Sequence, residues 1–274
     1  MPGRGLIDSP INKEMASQKS HGLLFEFKHL DASYKLNSPS PTERGETLFL
    51  EQANLAIMKI GAPITVKVGK WTFDDVYGAN KVEGTPKADI ALVCYNKTTK
   101  KFYDACFISH KLGASAKDFQ QYSGITTKAD GSKAGSISRD KSVMAFLRKI
   151  SAVQGNITEK KERFFQYIKD KVLVAKSIYG PEFGAAKYTT DNIHVIGQGN
   201  VTLVKAGAAY LLKFSAGQHY NPDVSEFMAG PYAAILSARY TAGRNYEVDG
   251  KTYTGARILI MPRPVLGAKA QELV

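Results

Sequence analysis

Apolar residues recur along this chain at two periods, and the period assigns the elements. Alternation and short β-prone runs read as strands, whereas apolar positions three and four apart read as helix. Residues 1–22 are polar and rich in Gly, Ser and Lys, which predicts a loosely held arm. Leu23 to Leu30 alternates and predicts a strand. Asn37 to Thr42 is a loop that opens a helix at Pro41 or Thr42, with Glu43 and Glu46 favouring its positive N-terminal end. Gly61, Ala62 and Pro63 stop that helix; along it Leu48, Leu55 and Met58 form a stripe, and Glu51 lies on their side. Ile64 to Val68 predicts a strand that Trp71 to Phe73 continues after a bend at Gly69, and Tyr77 to Pro86 reads as a loop.

Two apolar, β-prone runs, Ala88 to Tyr95 and Lys101 to His110, flank the polar turn Asn96 to Lys101 and predict a hairpin. Asp89 stands near the start of one arm, and Ser109, His110 and Lys111 end the other. Side chains alternate along a strand, so Ser109 and Lys111 share a face and His110 packs on the opposite one. Adjacent strands lie about 5 Å apart, which lets Asp89 face Lys111. After Gly113 the spacing predicts a helix with Asp118, Gln121 and Tyr122 on one side.

Farther on, residues 126–142 form a Gly/Ser/Lys-rich loop, followed by predicted helices at about 140–153 and 158–178. Strands are expected at Ile193–Ile196, Val201–Val204 and Ala209–Phe214, the first two joined by a hairpin turn at Gly197–Asn200. Met228 to Tyr240 reads as partly helical and Tyr253 to Met261 as a last strand. The pattern gives three segments: an arm over 1–22, a core over 23–180 with a helical extension, and a β-rich part over 181–274 packed on the same core. The class is mixed α/β (α+β).

Composition changes the picture mainly through charge. With 43% hydrophobic and 10% aromatic residues the 274-residue chain has ample material for a core, and its +12 net charge points to a polyanion, nucleic acid first. Cys94 and Cys106 sit on the two arms of the hairpin and read as small core residues; the cysteine count is too low for a zinc site. No apolar run reaches the roughly 20 residues of a membrane span. The first residues lack the apolar core of a secretion signal, so a reducing, cytoplasmic setting is expected. Gly197-Gln198-Gly199 is not a dinucleotide fingerprint, because no helix follows it. Trp71 reads as a packing residue and His194 as a strand residue. Lys87, Lys128, Lys133 and Arg139 are candidate contacts to backbone phosphates. Tyr240, Arg244 and Tyr246 interleave aromatic rings with a base, a further weak sign of nucleic acid.

A strand-borne Asp, a hairpin, a strand ending in x-Lys and a following Gln/Tyr helix together resemble the PD-(D/E)XK nuclease superfamily. The phage-type recombination and exonuclease branch is the most similar. The resemblance covers roughly residues 43–125 and implies a restriction-endonuclease-like central mixed sheet flanked by helices, with the additional C-terminal strands outside it. It implies a Mg²⁺- or Mn²⁺-dependent hydrolase of DNA phosphodiester bonds, with Asp89 as first acid and Lys111 as the lysine. The second acid of the motif falls at Ser109, so the resemblance assigns that charge to Asp118 on the next helix or to Glu51 on the preceding one. The metal ligands implied are then Asp89 with Asp118 or Glu51, completed by a backbone carbonyl near His110, while Gln121 contacts phosphate or orients Lys111. DNA is the implied partner, a homodimer is admitted, and the setting becomes host cytoplasm for a viral source. Glu26-Phe27-Lys28 is a second E-x-K triplet, but no Asp-bearing strand precedes it. The competing reading of Ser109 is a protein that binds nucleic acid, or serves in virion assembly, on the same fold without cutting.

Overall fold

The computed structural model describes residues 18–20, 23–25, 41–84, 86–114, 121–125, 137–159, 163–223, 233–262 and 270–273. In chain order, β1 (Gln18–Ser20) and β2 (Leu23–Phe25) pair antiparallel, then α1 (Pro41–Ile60) leads into β3 (Ile64–Val68), β4 (Trp71–Lys81), β5 (Ile90–Asn96) and β6 (Lys101–Lys111). After these come β7 (Ser123–Ile125), α2 (Lys141–Val153), β8 (Arg163–Tyr167) and α3 (Lys171–Tyr179). The chain continues through β9 (Val195–Gln198), β10 (Val201–Ala206), β11 (Ala209–Phe214) and β12 (Gln218–Tyr220). It closes with β13 (Ala234–Val248), β14 (Lys251–Pro262) and β15 (Ala270–Glu272). The class is the expected one: mixed α/β, with a large mixed sheet, few helices and extra strands.

These elements gather in two units, each discontinuous in sequence: Met1–Ala114 with Gly184–Asn221, and Ser115–Phe183 with Pro222–Val274.

The first unit is built on an eight-stranded sheet in the order β10-β11-β3-β4-β5-β6-β9-β12. Only β11/β3 and β6/β9 run parallel. Among the described residues α1 is the one helix of this unit. It buries Phe49, Leu50, Ala53 and Ile57 in a cluster with Val66, Ala79, Ile90 and Ile108. Asn54 fixes the helix on the sheet, accepting from the Ala79 N–H at 2.7 Å and donating to the Ala79 carbonyl at 3.0 Å. Gly61 ends α1 as expected, with φ of 95° and its N–H donating to Ile57 at 3.0 Å.

The β5–β6 hairpin forms as predicted, with Ile90 opposite Ile108 and Asn96 opposite Lys101. Cys94 and Cys106 are both buried and free; the register sets them against Tyr103 and Leu92, not each other. Other expectations fail for identifiable reasons. Trp71–Phe73 does not continue β3 but returns antiparallel to it, because Gly69, at φ 59°, makes a turn rather than a bend. Tyr77 to Lys81 is strand, not loop, since β5 pairs along it. The predicted hairpin between β9 and β10 is a crossover: β9 pairs β6 and β12, while β10 pairs β11 at the other end of the sheet.

The second unit carries a five-stranded sheet, β15-β8-β13-β14-β7, with α2 and α3. Helix α2 matches the expected span. The helix expected over 158–178 splits into β8 and α3, and Asp170 marks the break by accepting from the N–H groups of Val172 and Leu173. The partly helical segment expected up to Tyr240 is strand from Ala234 onward. Ala234, Ile235, Leu236, Ser237 and Ala238 are all buried, so the run shows no alternation by which to recognise it. Tyr246 is also core, stacked on Tyr253 at 5.1 Å with its hydroxyl donating to the Gly155 carbonyl at 2.7 Å. No helix among the described residues is long and apolar enough to cross a membrane.

Candidate active site

The site grows from the backbone around Asp89, the residue just before β5. Its N–H donates to the Ile108 carbonyl at 2.9 Å and its carbonyl accepts from Val82 at 3.0 Å, so residue 89 is held from both neighbouring strands. The Ile90–Ile108 register then sets its side chain against the end of β6. Asp89 Oδ2 accepts from Ser109 Oγ at 3.0 Å, from the His110 backbone N–H at 2.7 Å and from Lys111 Nζ at 3.3 Å. The expected meeting of Asp89 and Lys111 across the hairpin is present. Its partners all converge on one carboxylate oxygen; Oδ1 has no protein partner among the described residues.

His110 anchors the end of β6 from the other side, as its strand position predicts. Its ring meets Phe49 edge-on at 5.3 Å and lies along Phe214 at 6.2 Å. Its Nε2 lies 2.7 Å from the Gly199 carbonyl, and a carbonyl only accepts, so Nε2 carries the proton. Burial pushes the imidazole below its usual range, which keeps it neutral. Gly197, paired with His110, admits the Phe214 ring: a Cβ there would sit 2.3 Å from Phe214 Cδ1.

Sequence reasoning missed the carboxylate that α1 contributes. Glu46 is buried, ion-paired at 2.6 Å to Lys81 Nζ from the end of β4. Burial raises its carboxyl above the usual range; the Lys81 ammonium opposes this, the Asp89 charge adds to it and the Lys111 charge reduces it. Glu46 is therefore coupled to both hairpin residues through their fields. Glu51 is raised by burial alone and feels neither of them. Five residues advance a helix by about 140° beyond one full turn, so the two glutamates point differently. A signal was available: Glu46, Phe49, Leu50, Ala53 and Ile57 share one helical stripe, and this stripe is the buried one. The stripe of Leu48, Leu55 and Met58 is only half-buried.

Lys87 also belongs to the cluster. It is half-buried, and desolvation, reinforced by the Lys111 charge and partly offset by Asp89, pulls its ammonium down to about 7. The assembled set is Glu46, Lys81, Lys87, Asp89, Ser109 and Lys111. Two carboxylates among three amines suit an anionic ester more than a neutral substrate. Donor chemistry also fits a hard divalent cation that keeps several waters, because two carboxylates are coupled and one Asp89 oxygen has no partner among the described residues. No group of three or more His, Cys, Asp or Glu side chains at metal-binding spacing occurs among the described residues.

Asp118, Lys128 and Lys133 lie outside the described residues, as does the Glu26-Phe27-Lys28 triplet. Gln121 and Arg139 belong to the second unit. Gln121 is in no helix: Tyr122 is buried with its N–H donating to Ile260, and β7 begins at Ser123, so the one-sided Gln/Tyr helix does not extend through these residues. Trp71 packs edge-on against Tyr188 and His194, both at 5.1 Å, in keeping with a packing role.

Over 195 residues, 69% of this chain, the sequence is 28% identical to a protein described as the type II restriction enzyme CviJI of Paramecium bursaria Chlorella virus IL3A. The match takes in 51% of that enzyme, so the chain spans about half the length of its curated relative. No family model matches the chain, and no solved structure matches it.

Proposed function

We propose that this chain is a divalent-cation-dependent endonuclease that hydrolyses DNA phosphodiester bonds, with Asp89, Glu46 and Lys111 at its centre. The observation that carries this reading is Lys111 Nζ at 3.3 Å from Asp89 Oδ2 across the β5–β6 hairpin, with Glu46 coupled to both. Similarity to a type II restriction enzyme supports DNA as the substrate and cleavage at internal positions.

Asp89 and Glu46 would hold the Mg²⁺ or Mn²⁺, Asp89 through its Oδ1. When bound, such a cation acts as a Lewis acid and lowers the pKa of its water. Ser109 and the His110 N–H hold Asp89 Oδ2 and so orient the carboxylate. Lys111 brings a fixed positive charge against the phosphate oxygens and stabilises the charge that develops on them. Lys81 balances Glu46, and Lys87 adds a partly desolvated amine beside the same oxygens. Ser109 cannot supply the negative charge that an acid would. That observation favours a second reading, a protein that binds DNA without cutting it.

Incubating supercoiled plasmid with the pure protein and Mg²⁺ or Mn²⁺ separates the two. Nicked or linear product that disappears with Asp89→Asn supports the enzyme; salt-sensitive binding with no product supports the binder.

A further inference from the structure

On the second unit's sheet three arginines stand in one row. Arg239 on β13 is paired directly with Arg163 on β8 and with Arg257 on β14. Directly opposed residues project from the same face, and neighbouring strands are about 4.8 Å apart, so the three side chains leave the sheet within roughly 10 Å of one another. All three are half-buried. Like charges directly opposite destabilise a sheet, and a guanidinium cannot escape by losing its proton. Burial lowers each of them, and the row adds to this: Arg163 acts on Arg239, and Arg239 and Arg244 act on Arg257. No carboxylate among the described residues acts on Arg239 or Arg257. By contrast, Arg148 in the same unit is neutralised by a two-bond pairing with Asp249, both at 2.8 Å.

We infer that the Arg163–Arg239–Arg257 row is a binding site for the phosphate backbone of duplex DNA. A planar guanidinium grips phosphate through two parallel N–H bonds. DNA carries about one charge per 1.7 Å of axis, a density that three fanned arginines can match and that relieves their mutual repulsion. This deepens the DNA reading of the previous subsection but uses none of its catalytic residues.

The test is equilibrium binding of a fluorescent 20–30 bp duplex over a salt series in EDTA. Wild type is compared with Arg239→Gln, Arg257→Gln and Arg239→Lys, and each melting temperature is recorded. Arg239→Gln is expected to weaken binding on the order of 10-fold at low salt and to lower the salt slope by about 0.9 for each phosphate that the variant no longer neutralises. It should melt no lower than wild type, since it removes a like-charge repulsion. Arg239→Lys should keep most of the slope. Unchanged affinity and slope in both glutamine variants overturns the inference. So does a lower melting temperature with wild-type binding, the mark of a structural row, or a changed base preference at constant slope, the mark of base reading. A wild type that binds no duplex overturns this site and the nuclease together. A wild type that is inert on plasmid with Mg²⁺, yet binds duplex through Arg239, ends the nuclease reading and leaves the row standing.

Discussion

Glu46 on α1 and Lys81 at the end of β4 meet at 2.6 Å, and this contact brings a helix carboxylate into the field of Asp89. Three acids compete for the second metal-binding role: Glu46, Glu51 and Asp118. Under the proposed function Glu46→Gln should lower plasmid cleavage by at least about 100-fold, as Asp89→Asn does. Glu51→Gln should stay within a few-fold of wild type. Cleavage rates at saturating Mg²⁺ check this, with Asp118→Asn run beside them; a wild-type rate for Glu46→Gln and a collapsed one for Asp118→Asn would move the role to the later acid.

Lys111 Nζ lies 3.3 Å from Asp89 Oδ2. Lys111→Ala should cut the single-turnover rate by about 100- to 1000-fold while duplex binding in EDTA changes little, because the variant gives up a single charge among many. Rapid-quench kinetics beside binding isotherms would separate the two effects.

Ser109 gives Asp89 one of three bonds at the same oxygen. Ser109→Ala therefore removes about 1 kcal/mol of support and leaves the His110 N–H and Lys111 in place. Activity within about 10-fold of wild type is expected. A complete loss would show that the hydroxyl itself takes part in the reaction.

The Phe214 ring occupies the space a Cβ at residue 197 would need, 2.3 Å from Phe214 Cδ1. Gly197→Ala should destabilise the fold by about 1–3 kcal/mol through overpacking. The displaced ring also lies on His110, so the end of β6 should loosen with it. Urea unfolding gives the first effect and hydrogen exchange at His110 the second.

His194 is 4% exposed, and burial pulls its imidazole from an ordinary value near 6.5 to about 4. Its Nδ1 accepts the Phe107 N–H at 3.0 Å, a bond that protonation there would break. The folded state resists the proton more than the unfolded chain does. The stabilisation is thus complete above about pH 6.5 and is lost as pH falls towards about 4, amounting to about 3 kcal/mol at most. Thermal unfolding from pH 8 to pH 4 should show that fall, and His194→Asn should flatten it whatever its stability at pH 8.

Local rules written into the chain suffice for part of this molecule. The Asn96–Lys101 turn between two β-prone arms forces the hairpin, and strand alternation assigns Ser109 and Lys111 to one face and His110 to the other. Gly61 stops α1 because no side chain has to be accommodated at φ 95°. Long-range packing, by contrast, selects which helix stripe turns inward, and so puts Glu46 rather than Glu51 in the field of Asp89. It also joins β9 to β6 instead of β10, and sets Arg163, Arg239 and Arg257 in one row. Each of these depends on pairing between residues far apart in the chain, where propensity and periodicity no longer constrain the partner. Burial, register and the fields of neighbouring charges then make the choice.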